Sequence, residues 1–361
     1  MKAAVIYKNN TPVEIEEVEI DDPEQGEVLV KNIASGVCHS DLSMMKGYFG
    51  YPMPTIPGHE GGGIVEKVGE GVTDVKKGDS VLLTWMPSCG NCYYCNSYTP
   101  NLCEKGYSLG GTFGKPRIHK GNIGINHWSF LSTIAEYSLV KQESVVKVSA
   151  DTPMDKACLI GCGVLTGVGA VLNTAKVEEG STVSIIGLGG VGLNVVQGCV
   201  LANSSKIIGI DIMGWKLKEA ERFGITHSIN SKEENVSERI KEITDGRGVD
   251  YSFEVVGTSE TIRMAFDTTR RGGTTVIVGV GKLKEEFSIP IIDMHTGERT
   301  IKGSFYGSVN PRTDLQKYLG FYNDSKLKLD ELVSKKYSIE QVNEAFEDLE
   351  KGKLNRGVII F

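Results

Sequence analysis

The sequence predicts an α/β protein built from two domains, and two features of the chain support this fold class. The first 150 residues contain short β-branched segments bounded by glycine or aspartate, such as VLVKNIASGV, GIVEKVGEGV and DSVLLTW. From about residue 164 onward, apolar strand-like runs alternate with helix-like segments, which is typical of βαβ units and a parallel sheet. A length of 361 residues is sufficient for two domains that each have a substantial core.

The alternating region can be assigned element by element. Strands are predicted in STVSII, KIIGIDI, HSIN, VDYSFEVVG and TTVIVGVG, with helices between them in GLNVVQGCVLAN, WKLKEAERFG, NVSERIKEIT and SETIRMAFDT. After about residue 307, the helical segments DLQKYLGFYND and SIEQVNEAFEDLEKGK precede a last strand, RGVIIF. We therefore predict domains at 1–163 and 164–307, with the segment 308–361 packing back onto the first domain. One continuous α/β unit is the alternative.

Composition excludes several classes of function. A net charge of −7 and a pI near 5.6 leave no basic surface for nucleic acid. No run of about 18 apolar residues is present to span a membrane, and the start, MKAAVIY, is too short for a secretory signal. The eight cysteines include C-x2-C pairs, which in a long chain without a signal more often bind metal than form disulfides. We expect a cytoplasmic protein that binds neither membranes nor nucleic acid.

A glycine loop predicts dinucleotide binding. Gly187, Gly189 and Gly192 form G-x-G-x-x-G between an apolar strand and a helix, so a pyrophosphate can approach the helix N-terminus. Asp211 follows the next strand, where a carboxylate accepts a hydrogen bond from the ribose 2′-OH and repels a 2′-phosphate. NAD is therefore favoured over NADP, and Lys216 is placed to add a ribose contact. A purely structural glycine turn is the alternative.

A compact cysteine cluster predicts a structural zinc site. Cys89, Cys92, Cys95 and Cys103 follow the spacing C-x2-C-x2-C-x7-C within a lobe at about 88–104. Four thiolates around a tetrahedral ion make a closed site, which stabilises a loop that has little apolar content. Two disulfides are one alternative. An iron–sulfur cluster is another, although its bacterial spacing ends in C-x3-C-P rather than in a gap of seven.

A scattered set of residues predicts a second zinc site of the catalytic type. Cys38, His59 and Cys162 each lie beside glycines, and a Cys2His set leaves a fourth position open for chemistry. Asp41 is a candidate to orient His59 through a hydrogen bond to the ring nitrogen that does not bind the metal. Glu60 is either an alternate ligand or a member of a local ion pair. Each residue taken alone is also compatible with a buried structural role.

Together these motifs resemble the zinc-dependent alcohol dehydrogenases of the medium-chain dehydrogenase/reductase family, over essentially the whole chain. The segment GHEGGGIVEKVGEGV resembles the family's zinc signature, the lobe from Cys89 to Cys103 its structural zinc site, and GLGGVG with Asp211 its coenzyme loop. The resemblance implies a split catalytic domain with a GroES-like β-barrel core and an inserted Rossmann domain with a doubly wound parallel sheet. It also implies two zinc ions per chain, one catalytic and one structural, and NAD bound in a cleft.

The resemblance also assigns roles to single residues. Ser40 falls where the family places the hydroxyl that takes the alcohol proton, and Thr166 falls beside the nicotinamide. His39 and Arg356 match contacts to the coenzyme pyrophosphate. Many relatives end the proton relay on a histidine three residues after this serine, where the present chain has Ser43. Further predicted coenzyme contacts are Gly190, Val191, Val256 and Val280.

The function implied by the resemblance is reversible oxidation of an alcohol to an aldehyde or ketone with hydride transfer to NAD. Trp85 and Trp128 fall at substrate-pocket positions, so primary alcohols with an apolar or aromatic body are expected. Either tryptophan is alternatively a core residue. Relatives form homodimers or homotetramers, and the segment IKGSFYGSV at the end of the Rossmann sheet is a candidate pairing edge.

Three competing functions remain at this point. A glutathione-dependent formaldehyde dehydrogenase needs a basic pocket, for which Lys115, Arg117 and Lys120 are candidates. A polyol dehydrogenase is disfavoured because Cys162 stands where many such relatives have a glutamate. A non-catalytic protein that binds zinc and NAD is disfavoured by the intact ligand trio. The remaining histidines are interpreted as surface or packing residues; they are His119, His127, His227 and His295.

Overall fold

The computed structural model describes residues 1–110 and 115–361, and these residues form two compact units. The first unit contains Met1–Cys162 and Asn310–Phe361, and the second contains Gly163–Val309. The C-terminal tail belongs to the first unit because its last strand pairs with a long strand near the N-terminus.

The first unit is rich in β-structure. Its strands are β1 (Lys2–Val5), β2 (Glu14–Glu17), β3 (Glu19–Ile20), β4 (Glu27–Val37), β5 (Thr55–Ile56), β6 (Gly61–Val68), β7 (Ser80–Leu83), β8 (Ile118–Lys120), β9 (Ile123–His127), β10 (Tyr137–Lys141) and β11 (Val145–Lys147). Its first helices are α1 (His39–Met45), α2 (Tyr93–Asn96), α3 (Gly106–Gly110) and α4 (Met154–Ala157). Short 3-10 turns lie at Pro100–Leu102, Trp128–Phe130, Gln142–Ser144 and Cys158–Gly161.

The second unit alternates strands and helices. Its strands are β12 (Thr182–Ile186), β13 (Lys206–Asp211), β14 (His227–Asn230), β15 (Val249–Glu254), β16 (Thr269–Ile277) and β17 (Thr300–Gly303). Its helices are α5 (Gly163–Gly169), which runs into a π-helical turn at Ala170–Ala175, then α6 (Gly190–Leu201), α7 (Gly214–Glu221), α8 (Val236–Ile243), α9 (Ser259–Thr268) and α10 (Ile291–Gly297), with a 3-10 turn at Tyr306–Ser308.

The remainder of the chain returns to the first unit. Its elements are α11 (Pro311–Asn323), β18 (Val333–Tyr337), a 3-10 turn at Ile339–Gln341, α12 (Val342–Glu350) and β19 (Arg356–Ile360). β19 pairs antiparallel with β4, and β18 pairs parallel with β19. The amphipathic face of α12 packs into a core with Met44 and Trp128. Hydrophobic burial therefore holds the two ends of the chain in one unit.

β4 is the central strand of the first unit. One edge of β4 pairs with β6, and the other pairs with β10 along its first half and with β19 along its second half. The order of the sheet is β11-β7-β6-β4-β19-β18, with β10 also on β4. A separate sheet has the order β3-β8-β9-β5, and β1 pairs with β2. The end of β4, the start of β6 and the start of β19 consequently meet at one place.

The second unit is a six-stranded parallel sheet in the order β14-β13-β12-β15-β16-β17. The chain winds outward from β12 to β14 and then crosses back to β15, so the strand order reverses between β12 and β15. This is the doubly wound Rossmann arrangement, and it confirms the predicted fold class. Each strand and helix segment predicted between residues 181 and 280 coincides with an element here.

Among the described residues, no single helix is both long and apolar enough to cross a membrane. The helical segments Met154–Gly161 and Gly163–Ala175 are long and apolar enough only when they are taken together, and the chain bends between them.

Candidate active site

Sheet register brings the scattered metal-binding set together. Ser35 of β4 pairs with Gly61 of β6, and the amide of Gly36 donates to the carbonyl of Glu60 at 2.8 Å. Cys38 and His59 lie just beyond these paired positions. Cys162 arrives from the 3-10 turn at Cys158–Gly161. The ligand atoms of Cys38, His59, Glu60 and Cys162 lie within 4.8 Å of one another, and all four residues are buried.

Asp41 fixes the orientation of His59. Its Oδ1 lies 2.9 Å from Nδ1 of His59 and accepts from the amide of Gly58 at 3.0 Å. Its Oδ2 accepts from the amide of Cys38 at 3.2 Å, at the N-terminus of α1. Burial alone would lower the pKa of His59, but the carboxylate of Asp41 and the facing Cys38 raise the pKa well above its usual value. With Nδ1 held by Asp41, Nε2 is the nitrogen left to ligate a metal.

The two cysteines of this set shift each other's pKa in opposite directions. A hydrogen bond with Cys162 lowers the pKa of Cys38 well below its usual value, with further help from His59 and Arg356. The same hydrogen bond, followed by burial, raises the pKa of Cys162. Buried sulfur and imidazole donors at this separation suit a zinc ion, which takes Cys sulfur at about 2.3 Å and His nitrogen at about 2.0 Å. Ser40 lies beside the set, with its Oγ 3.8 Å from Sγ of Cys38.

Glu60 is both a member of the buried set and the partner of a buried arginine. Its Oε2 accepts from Nη2 of Arg356, and Arg356 also donates to the carbonyl of Val37 at 3.2 Å. A Cβ on Gly36 would lie 2.0 Å from Oε2 of Glu60, so any larger residue there would displace this carboxylate. Burial raises the pKa of Glu60, although Arg356 opposes the shift. The guanidinium of Arg356 is thus buried against Glu60. The predicted contact between Arg356 and the coenzyme pyrophosphate stays a prediction.

Aromatic side chains pack beside His59. The indole of Trp128 has its centroid 6.5 Å from that of His59 in an edge-on arrangement. Phe49 stacks on Trp128 at 5.9 Å, and Tyr51 meets it edge-on at 4.9 Å. Trp85 instead packs, half-buried, on a separate core that includes Val28 and Val81. The sequence did not indicate Phe49 and Tyr51, because neither lies in a recognisable motif.

His127, next to Trp128, is buried with no hydrogen-bond partner for either ring nitrogen among the described residues. Burial lowers the pKa of His127 to about 4, a shift that the Glu27 carboxylate opposes. The unfolded chain binds a proton at this histidine near pH 6.5 but the folded chain does not, so this histidine destabilises the fold as pH falls from 6.5 to about 4. The expected loss is about 3 kcal/mol.

Denaturant unfolding of wild type and His127→Gln at several pH values measures this effect. The variant is expected to lose less stability across the same interval, because it has no imidazole to protonate. His295→Gln, at an exposed position of α10, is the control and should follow the wild-type profile. Parallel profiles for wild type and His127→Gln would show that His127 does not carry this pH dependence.

The compact cysteine cluster has the spacing of a four-thiolate metal site. The sulfur–sulfur distances are 3.5 Å for Cys92–Cys95, 3.9 Å for Cys92–Cys103 and 4.0 Å for Cys89–Cys95. Four sulfurs at 2.3 Å from a tetrahedral zinc would be about 3.8 Å apart, whereas a disulfide needs about 2.05 Å. The cysteines are free of disulfides. Backbone amides, Cys95 first, lower the pKa of Cys92 to about 6, which favours a thiolate donor.

The predicted coenzyme loop lies at the carboxyl end of β12 in the second unit. Gly187 has φ +95°, a left-handed conformation that favours glycine. A Cβ on Gly192 would lie 1.9 Å from the carbonyl oxygen of Gly187, so the helix packs closely on the turn. A Cβ on Gly189 would meet no protein atom within 4 Å, which leaves open space for a pyrophosphate. Gly190 and Val191 begin α6, whose N-terminus favours anions.

The other residues predicted to contact the coenzyme lie in both compact units. Asp211 accepts from the amides of Leu188 at 2.8 Å and Met213 at 3.0 Å, which ties it to the glycine turn. Two of the three valines predicted to contact the coenzyme, Val256 and Val280, are exposed in the loops that follow β15 and β16. The remaining positions are Lys216 in α7, Thr166 in α5 and His39, exposed in α1 of the first unit.

The candidate basic pocket is neutralised by acidic partners. Arg117 is buried and donates to Asp21 at 3.0 Å and to Glu27 at 2.8 Å. Lys115 pairs with Glu24 and Lys120 pairs with Glu16. These three cations therefore provide no unbalanced positive charge for an acidic glutathione adduct.

Two family models match the chain. One described as zinc-binding dehydrogenase matches residues 190–324, and one described as alcohol dehydrogenase GroES-like domain matches residues 24–150. An NDMA-dependent alcohol dehydrogenase from Amycolatopsis methanolica is 40% identical, with 99% of this chain and 98% of the relative covered. A class-3 alcohol dehydrogenase from Dictyostelium discoideum is 41% identical, with 99% and 97% covered.

Two solved structures are similar to this chain over almost their whole length. Benzyl alcohol dehydrogenase from Acinetobacter calcoaceticus superposes with a TM-score of 0.94 at 32% identity, covering 100% of this chain and 99% of that one. An alcohol dehydrogenase zinc-binding domain protein from Burkholderia ambifaria gives the same TM-score and identity, with 100% of this chain and 98% of that one covered. The chain belongs to the zinc-dependent alcohol dehydrogenases of the medium-chain dehydrogenase/reductase family.

Proposed function

We propose that this chain oxidises primary alcohols with an apolar or aromatic body to aldehydes, reversibly, with NAD as the hydride acceptor and two zinc ions per chain. The observation that carries the proposal is the convergence of Cys38, His59 and Cys162 in one buried cluster. Three protein ligands and a free position are typical of catalytic zinc, whereas the four-cysteine lobe is typical of structural zinc.

Each residue of the catalytic cluster has a task in the proposed reaction. A zinc ion held by Cys38, His59 and Cys162 would supply Lewis acidity for alcohol deprotonation. Asp41 holds the imidazole of His59 in one orientation. Ser40 lies next to Cys38 and is half-buried, so its hydroxyl can accept the alcohol proton and pass it toward water. Ser43, on the same helix, occupies the position of the histidine at which the proton relay ends in many relatives.

Substrate selection is assigned to the aromatic group beside His59. Phe49, Tyr51 and Trp128 present ring faces and edges to one another next to the metal-binding imidazole. Trp128 is buried in the core, whereas Phe49 and Tyr51 are only partly buried against it. The exposed parts of these two rings can pack on an aromatic or long apolar alcohol. The benzyl alcohol dehydrogenase that superposes on this chain supports the same class. Trp85 remains a proposed pocket residue, although its contacts are with a valine-rich core.

The proposal for NAD rests on the glycine loop. The open space at Gly189 can take a pyrophosphate. Asp211 is hydrogen-bonded to the amide of Leu188 in the glycine turn, at the position from which a carboxylate binds the adenosine ribose. NAD, when bound, supplies the acceptor for the hydride. None of the eight cysteines, all within the described residues, forms a disulfide, which supports a reducing, cytoplasmic location. β17 is an outer strand with mostly exposed residues, which supports homodimer or homotetramer formation through this edge.

A panel of alcohols and aldehydes, assayed on metal-quantified protein with NAD, NADP and NDMA, tests the proposal. We expect two zinc ions per chain and a preference for NAD over NADP of about a hundredfold, from repulsion of the 2′-phosphate by Asp211. Benzyl alcohol should exceed ethanol in kcat/KM by at least about tenfold. A kcat/KM for benzyl alcohol that is no higher than that for ethanol would contradict the substrate class. Turnover with NDMA but no NAD reduction would contradict the proposed acceptor, and preference for S-hydroxymethylglutathione would favour the formaldehyde dehydrogenase alternative.

A further inference from the structure

A buried carboxylate outside the metal clusters organises the carboxyl edge of the Rossmann sheet. Glu254 is the last residue of β15 and is fully buried. Its Oε1 accepts three hydrogen bonds, each of 2.7 Å, from the amides of Val256 and Gly257 and from the hydroxyl of Thr261. Three donors that converge on one oxygen fix the turn between β15 and α9 around a negative charge.

This carboxylate lies where the strand order of the sheet reverses. Glu254 pairs with Ile186, the last residue of β12, immediately before the glycine loop. In open parallel sheets, ligands bind outside the carboxyl ends of the strands at this reversal point. Glu254 is therefore beneath the place where the proposed coenzyme binds, although neither its sequence context nor any motif singled it out.

The turn held by Glu254 is in contact with two other loops. A Cβ on Gly187 would lie 2.7 Å from Cγ2 of Val256, so the glycine loop rests on this turn. A Cβ on Gly257 would lie 2.7 Å from the carbonyl carbon of Val280. The backbone carbonyl of Glu254 accepts from the amide of Gly279 at 3.0 Å. The loops that follow β12, β15 and β16 are thus packed together around one residue.

The second oxygen of the carboxylate indicates whether Glu254 only stabilises the core or instead holds the turn in place. Oε2 of Glu254 is buried and has no hydrogen-bond partner among the described residues. A half-satisfied buried carboxylate is unfavourable for stability. A residue that served only to stabilise the core would be better replaced by an apolar side chain, so the arrangement favours a role in holding the turn.

We propose that Glu254 is a positioning residue for the coenzyme, which fixes the Val256–Gly257 turn and through it the glycine loop at Gly187. This inference rests on the proposed function, because it assumes that NAD binds at that loop. Without the negative charge, the two amides keep only a weaker, neutral acceptor, and the turn is held less firmly against Gly187. The pyrophosphate site then loses its shape, whereas the residues of the metal cluster belong to the other unit and are not displaced.

The test compares Glu254→Gln with Glu260→Gln, the same chemical change at an exposed position in the first turn of α9. Binding of NADH and of ADP-ribose is titrated, and KM and kcat for an alcohol are measured at saturating NAD. Glu254→Gln is expected to raise the Kd of both ligands by about tenfold or more, with the KM for alcohol and kcat changed less than about threefold. Glu260→Gln should bind both ligands with wild-type affinity.

A second variant keeps the inference testable if Glu254→Gln does not fold. Thr261→Val removes one of the three donors and is expected to raise the Kd of NADH by about threefold. Wild-type Kd values in either folded variant, even with a lowered melting temperature, would overturn the positioning role. If the wild-type protein binds neither NADH nor ADP-ribose while it oxidises alcohols with another acceptor, the proposed use of NAD fails, and this inference fails with it.

Discussion

Cys38→Ser is expected to lower kcat/KM for alcohol oxidation by at least about a thousandfold. Serine keeps the size of the side chain but replaces a sulfur donor, and the Cys2His set then lacks a ligand that zinc strongly prefers. Zinc content should fall from two ions per chain to one. The fold should persist, because the four-cysteine lobe is a separate cluster. Zinc analysis, steady-state kinetics and circular dichroism measure the three quantities.

Cys158→Ala is the matched control for this experiment. Cys158 is also buried and lies four residues before Cys162, but it is not a member of either metal-binding cluster. It should retain two zinc ions and most of the activity. A Cys38→Ser protein that keeps both zinc ions and near wild-type kcat/KM would show that this cluster is not the catalytic site.

Cys95→Ser is expected to remove the other zinc ion and to lower the melting temperature by about 10 °C or more. The lobe around Cys95 is short of apolar side chains that could replace the metal, and its tyrosines are exposed, with Tyr98 at 94%. Activity should fall only as the protein unfolds. At low temperature, where the variant remains folded, kcat/KM should therefore stay within about threefold of the wild-type value.

Tyr98→Ser is the control within the same lobe. It lies three residues from Cys95, contributes no ligand and is almost fully exposed, so zinc content and melting temperature should stay at the wild-type values. If Cys95→Ser keeps two zinc ions and its thermal stability, the division into a structural and a catalytic site is wrong.

Local patterns predicted the Rossmann unit well. The alternation of apolar strands and amphipathic helices between β12 and β16 reflects backbone periodicities that each segment carries alone. The spacing of Cys89, Cys92, Cys95 and Cys103 likewise predicted a cluster, because these residues are near neighbours in the chain. The structure places their sulfurs together.

Six helices of the described residues were not predicted, α1 to α5 and α10. For two of them, α5 and α1, the structure shows a physical reason. α5 contains Gly163, Gly167 and Gly169, and glycine is a poor helix former in isolation. In the structure, a Cβ on Gly167 would lie 2.6 Å from the carbonyl oxygen of Val191, so close packing on α6 requires the glycine. α1, which carries Ser40 and Asp41, is only seven residues long and is stabilised by its tertiary contacts.

Residue types and local spacing were enough to predict the fold class, the glycine loop and the two sets of candidate metal ligands. Which distant groups meet became clear from the folded chain. The register of β4 with β6 and β19 brings Glu60 to Arg356. The pairing of β5 with β9 brings Trp128 near His59, and the pairing of β3 with β8 brings Arg117 to its acidic partners. Each of these contacts joins residues about 70 or more positions apart, and such pairings follow from strand register and side-chain packing rather than from any local pattern.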